Sequence, residues 1–67
     1  MDKGAIGKKL KTMRGSKSRR DVASAINVSE SAIRMYESGQ RIPRDEIKTR
    51  YAEYFDVSVS DLFFASK

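Results

Sequence analysis

The sequence predicts an all-α domain of five short helices. Three observations carry that expectation. Apolar residues recur three and four positions apart, as the buried face of a helix requires. Serine, proline and acidic residues stand just before those runs, and Gly, Asn or Asp just after them, which are the residues that open and close helices. The 67 residues also contain no cysteine and no histidine. No disulfide, thiolate site or imidazole site can then staple the chain, so packed helices must supply its stability. A chain of this length makes one domain, 1–67, and buries only about 60% of the surface its unfolded form exposes.

The first helix is expected over 5–14. Ile6, Leu10 and Met13 fall on one face, lysines fill the other, and Gly15 stands where a left-handed C′ residue would. Residues 1–4 are expected to fray. Ser18 reads as the N-cap of a second helix, 19–26, with Asp21 as a capping-box partner and Val22, Ala23 and Ile26 on its inner face. Asn27 tolerates positive φ and suits a sharp corner. Ser29 caps a third helix, 29–38, with Val28 and Ile33 at the hydrophobic-staple positions and Gly39 closing it. After a loop, Pro43 or Arg44 opens a fourth helix, 44–55, with Asp45 and Glu46 at the positive end of its dipole. Ile47, Tyr51, Tyr54 and Phe55 follow at helical spacing. Asp56 turns the chain, and Ser58 with Asp61 repeats the capping signature for a fifth helix, 59–64. A Val57–Leu62 staple supports it, and Val59, Leu62 and Phe63 share its face. The expected core is Ile6, Leu10, Met13, Val22, Ala23, Ile26, Ile33, Tyr36, Ile47, Tyr51, Phe55 and Leu62. Ala23 is small because the second and third helices must cross closely there. There is no internal repeat, low-complexity segment or linker.

Charge is uneven. The net charge is +5, yet residues 1–20 hold eight basic side chains against one acidic, and the remainder six against eight. A basic block suggests a polyanionic partner, nucleic acid first, and equally suits a solvated helix face. Lys8, Lys9 and Lys11 read as solvated. No apolar run nears the roughly 20 residues of a membrane span. The opening MDKGAIGKKLK lacks a signal peptide's apolar core, so a soluble, intracellular protein is expected. Without histidine, cysteine, a phosphate-cradling glycine loop or paired carboxylates, no enzyme, metal or cofactor is expected.

The stretch Ser18 to Gly39, SRRDVASAINVSESAIRMYESG, is a helix, a tight corner and a second helix with a polar outward face. That is the layout of a helix-turn-helix reader of DNA. Glu30, Ser31, Arg34 and Met35 stand near the start of the second of these helices, the end that reaches deepest into a major groove. Glu30 suits a cytosine amino group, Arg34 a guanine and Met35 a thymine methyl. The bland alternative is a surface Glu30–Arg34 pair at i, i+4. Ser18, Arg19 and Ser29 flank this pair of helices as candidate phosphate contacts, the serines doubling as caps. Phe63 and Phe64 are adjacent, so one helix face cannot bury both. One should be core and the other exposed or at a dimer contact.

These residues resemble the helix-turn-helix family of phage repressors and Cro proteins, the xenobiotic-response-element (XRE) type. The resemblance runs from Ile6 to Phe64. It rests on Ser18-x4-Ala23, Asn27-Val28-Ser29, Ser31-Ala32-Ile33, Tyr36-Glu37-Ser38-Gly39 with Arg41 and Pro43, and Phe55-Asp56-Val57-Ser58 leading into Asp61-Leu62. It implies a compact, lambda-repressor-like five-helix domain that binds operator DNA as a symmetric homodimer. Gln40, Arg41 and Arg44 would then lie at the groove edge as further phosphate contacts. Arg14 would pair with Glu37 and brace the recognition helix, and the C-terminal helix, with Phe63 and Phe64, would supply a dimer contact. Two positions depart from the family pattern: Arg19 stands for a common Gln, and Asn27 for a common Gly at the turn. The resemblance implies a bacterial or phage-encoded cytoplasmic repressor associated with the nucleoid. The alternative is a protein-interaction module of the same fold, an antitoxin, antirepressor or co-regulator, and a protein regulator is a further possible partner.

Overall fold

Where the apolar spacing repeats, helices form: α1 (Lys3–Arg14), α2 (Arg19–Ile26), α3 (Glu30–Glu37), α4 (Asp45–Phe55) and α5 (Ser60–Phe64), the last a single wide turn of π type. The computed structural model describes residues 2–64, Phe64 by its backbone alone, and no strand occurs among them.

One way of starting a helix is used three times. The hydroxyl oxygens of Ser18, Ser29 and Ser58 accept from the backbone N–H groups of Asp21 (3.0 Å), Ala32 (3.0 Å) and Asp61 (2.9 Å). Each bond satisfies one of the donors that a helix start leaves without an intrahelical partner. One way of stopping also recurs. Asn27 and Asp56 sit in the left-handed region at φ 59°, and Gly39 at φ 81°. The N–H of the next residue reaches back five positions in each case: Val28 to Ala23 (2.9 Å), Val57 to Ala52 (3.0 Å) and Gln40 to Met35 (3.0 Å). This is the Schellman closure, which satisfies carbonyls at the helix end. The sequences Asn-Val-Ser and Asp-Val-Ser thus form the same corner twice, a left-handed stop, an apolar residue and a serine start.

Several boundaries differ from expectation. Residues 2–4 are not frayed. The Asp2 carboxylate accepts from the N–H groups of Gly4 (2.9 Å) and Ala5 (3.2 Å), so α1 starts at Lys3. Gly15 takes φ 58° with ψ −125°, not a left-handed helical pair, and this region is open essentially to glycine alone. α3 is shorter than 29–38, because Ser29 and Ser38 cap it. α4 begins at Asp45, with Arg44 extended at ψ 163° as its cap and Pro43 buried outside the helix. Lys9 is not simply solvated, since its Nζ donates to the carbonyl of Asp61 and ties α1 to α5.

Leu10, Val22 and Ile33 are fully buried, Tyr51 nearly so, and Ile6, Ala23, Ile26, Tyr36, Ile47 and Leu62 join them. Each large aliphatic side chain taken fully out of water contributes about 2 kcal/mol. Met13 and Phe55 are half-buried against this core rather than within it. Both lie in the last turn of their helices. Of the adjacent pair Phe63 and Phe64, both named for a dimer contact, Phe63 is the one in the core. It is buried, meeting Tyr51 edge-on at 6.2 Å with the Lys48 ammonium 5.6 Å from its ring centre, so it is a core residue. The Phe64 side chain, the other half of that expectation, lies outside the described residues.

Lys48 is itself buried, with Nζ 3.8 Å from the Asp45 carboxylate. Its long stem covers apolar surface while the head keeps a charge partner. Tyr51 has the opposite problem. Its hydroxyl is buried without a hydrogen-bond partner. Burial chiefly, and then the nearby Glu37 carboxylate, hold this phenol well above its usual range. Arg50 fastens α4 to the corner before α3, its Nη1 donating to the Ile26 carbonyl at 3.2 Å.

Candidate nucleic-acid interface

α3 is two-faced because its apolar residues recur at i and i+3. Ile33 and Tyr36 point into the core, while Glu30, Ser31 and Arg34 are exposed and Met35 is half-exposed. All four candidate base-reading residues therefore stand on the side away from the core. Glu30 and Arg34 form no ion pair with each other among the described residues, so the surface-pair alternative is not what the structure contains.

Three features fix α3. The first is α2, which joins it through the Asn27 corner and buries Val22, Ala23 and Ile26 in the same core as Ile33, with Val28 packed against that core. The second is α1. A Cβ on Gly7 would lie 2.4 Å from the Glu37 carbonyl oxygen and 2.8 Å from that of Tyr36. Only glycine allows the α1 backbone to lie directly against the end of α3. The sequence hinted at this, since a glycine inside a helix costs about 1 kcal/mol against alanine and asks for a reason, but it named no partner.

The third is Glu37. Its side chain is only 4% exposed and meets two arginines. Arg14 donates from Nε at 2.6 Å and Nη2 at 3.1 Å, a two-bonded contact, and its Nη1 donates to the Lys17 carbonyl at 2.7 Å. Arg19 donates from Nε at 3.2 Å. The hydrogen bond with Glu37 outweighs the opposing effect of burial and raises the Arg14 guanidinium above its usual pKa. Removing one side of so buried a contact typically costs about 3–5 kcal/mol. Arg19, expected at a phosphate, is thus also tied to the far end of α3.

The remaining candidate phosphate contacts are exposed. Ser18 and Ser29 use their oxygens as caps, which leaves each O–H hydrogen able to donate outward. Gln40, Arg41 and Arg44 all lie in the segment between α3 and α4. Sequence reasoning passed over Gly7, over Arg50 and over Arg20, which is exposed beside Arg19.

No helix among the described residues is long and apolar enough to cross a membrane. No curated protein and no solved structure matches the chain. A family model described as helix-turn-helix matches residues 8–62, from midway along α1 into α5, and includes both paired helices. The chain belongs to the XRE-type helix-turn-helix family, the Cro-like family of DNA-binding regulators.

Proposed function

We propose that this protein is a sequence-specific repressor that binds a palindromic operator as a homodimer, with α3 in the major groove of each half-site. The observation that carries the reading is the outer face of α3. Glu30, Ser31, Arg34 and Met35 lie on one side of a helix held at three points from behind. A major groove about 12 Å wide admits such a helix, and each base pair there presents a distinct pattern of donors and acceptors. Ser18, Arg19, Ser29, Gln40, Arg41 and Arg44 would grip the phosphates on either side, which sets register without reading sequence. A place on the nucleoid follows from that partner.

Selection of bound sites from random duplexes, joined to a salt titration of binding, tests the reading. The expected result is a palindrome whose half-site centres lie about one helical turn apart. Its affinity should fall steeply and log-linearly with salt. A shallow salt slope with no sequence preference would instead assign this surface to a protein partner.

A further inference from the structure

Glu37 meets two arginines, and they use it differently. Arg14 commits Nε and Nη2 to the carboxylate and Nη1 to the Lys17 carbonyl, and its side chain is 13% exposed. Arg19 touches the same carboxylate through Nε alone, and its side chain is 36% exposed. A guanidinium carries five N–H groups in one plane. With Nε held, the opposite edge, formed by Nη1 and Nη2, is left to donate two parallel bonds, the geometry that recognises a phosphate. Two positive charges on one carboxylate also leave one positive charge uncompensated at this point. Lys17 and Arg20 add more of the same sign nearby in sequence.

We propose that Glu37 is a positioning residue for phosphate binding: Arg14 anchors its carboxylate, and the carboxylate holds Arg19 by Nε so that the Nη edge meets a DNA phosphate. The proposal rests on the DNA-binding reading and adds a division of labour to it. Arg19 binds, Arg14 anchors, and a buried acid raises rather than lowers the affinity for a polyanion. A rival mechanism predicts the opposite sign. If Glu37 merely competed with phosphate for Arg19, neutralising it would release the arginine and tighten binding.

The test uses the full chain and a duplex of about 20 base pairs carrying a site selected by the wild-type protein. Affinity is measured across a salt series for Arg19→Ala, Glu37→Gln and the double variant, at a temperature where circular dichroism shows each to be folded. Arg19→Ala should bind about tenfold more weakly and reduce the log–log salt slope by about 1. Glu37→Gln should weaken binding about fivefold in the wild-type background and less than twofold beside Arg19→Ala, the non-additivity expected of residues acting as a unit. Equal losses in both backgrounds would reduce Glu37 to a structural brace and overturn the proposal, as would tighter binding by Glu37→Gln. Should Glu37→Gln not fold, Arg19→Lys decides. It keeps the charge but has no Nε and no fork, and should bind about fivefold more weakly at an unchanged salt slope. Wild-type-like affinity in Arg19→Lys would overturn the proposal. Failure of the wild-type chain to bind any duplex in a salt-dependent way would remove the DNA-binding reading itself, a result distinct from either of these.

Discussion

At the scale of single residues, the two most telling positions are Gly7 and Tyr51. Gly7→Ala places a methyl group against two backbone carbonyls that close α3, at distances no real Cβ contact tolerates. Backbone cannot rotate aside as a flexible side chain can. The substitution should destabilise the protein by about 1–3 kcal/mol despite alanine's better helix propensity. Chemical denaturation measures this, and stability at or above wild type would show that α1 does not press on α3 as described. Tyr51→Phe should act the other way. It removes a buried hydroxyl without a partner and leaves the ring in place, stacked on Phe55 and edge-on to Tyr36 and Phe63. Stability at neutral pH should change by no more than about 1 kcal/mol, with the sign favouring Phe. The pH dependence follows from the raised phenol. Its proton stays on in the folded state and leaves in the unfolded state above the usual tyrosine range, near 10. Stability therefore falls as pH climbs past that value, by about 1.4 kcal/mol per unit for this one proton. Tyr51→Phe should flatten that alkaline limb in denaturation curves taken between neutral and strongly basic pH. The charge pair at Glu37 was legible in sequence only in its Arg14 half. Lys48 was not legible at all, because a lysine letter at an inner helix position reads as polar until a neighbouring acid and an aromatic ring are seen to accommodate it.

Elements were more legible than residues, and for a local reason. Serine caps and left-handed stops depend on two to six consecutive residues, so Ser18, Asn27, Ser29, Gly39, Asp56 and Ser58 disclose themselves without knowledge of the fold. α2 has the ends that local chemistry predicts. What local chemistry did not disclose depended on tertiary context or on a weak helix former. Gly4 in the first turn of α1 disguised Asp2 as part of a fraying end, although its carboxylate caps the helix. Pro43 suited the start of α4 by propensity, yet burial placed it ahead of the cap. The wide turn of α5 has no marker in the sequence that we can identify. The repeated corner yields a paired prediction. Asn27→Gly keeps the left-handed geometry and should leave stability within a few tenths of a kcal/mol. Ser29→Ala removes the oxygen that accepts from Ala32 and should cost about 1 kcal/mol. Thermal unfolding of the two variants checks this, and an equal loss in both would mean that the corner is held by something other than its caps.

The scale of the whole molecule is where charge and assembly meet. The domain measures 29 × 23 × 22 Å, so one copy spans less than one turn of duplex, about 34 Å, and can grip few phosphates. If Arg19, Arg41 and Arg44 supply the cations among the phosphate contacts of one half-site, with Ser18, Ser29 and Gln40 neutral, about three cationic neutralisations per copy follow. The resulting log–log salt slope is about −3 for a single bound copy and about −6 for a pair. Slope and stoichiometry are independent measurements, and together they separate two ways of using a palindrome. A dimer that persists free of DNA should bind in one step with the steeper slope and no dependence on protein concentration beyond simple saturation. Monomers that meet on the operator should show the shallow slope for a half-site and the steep one only for the full site, with a sigmoidal titration between them. Phe63 is the member of the adjacent pair that is closed into the core. Assembly on DNA is the expected route, because two adjacent half-sites supply proximity to copies that meet there. Half-site and full-site duplexes titrated in parallel, with sedimentation of the free protein, decide it. A free dimer at submicromolar concentration, with the same slope on both duplexes, would refute assembly on DNA.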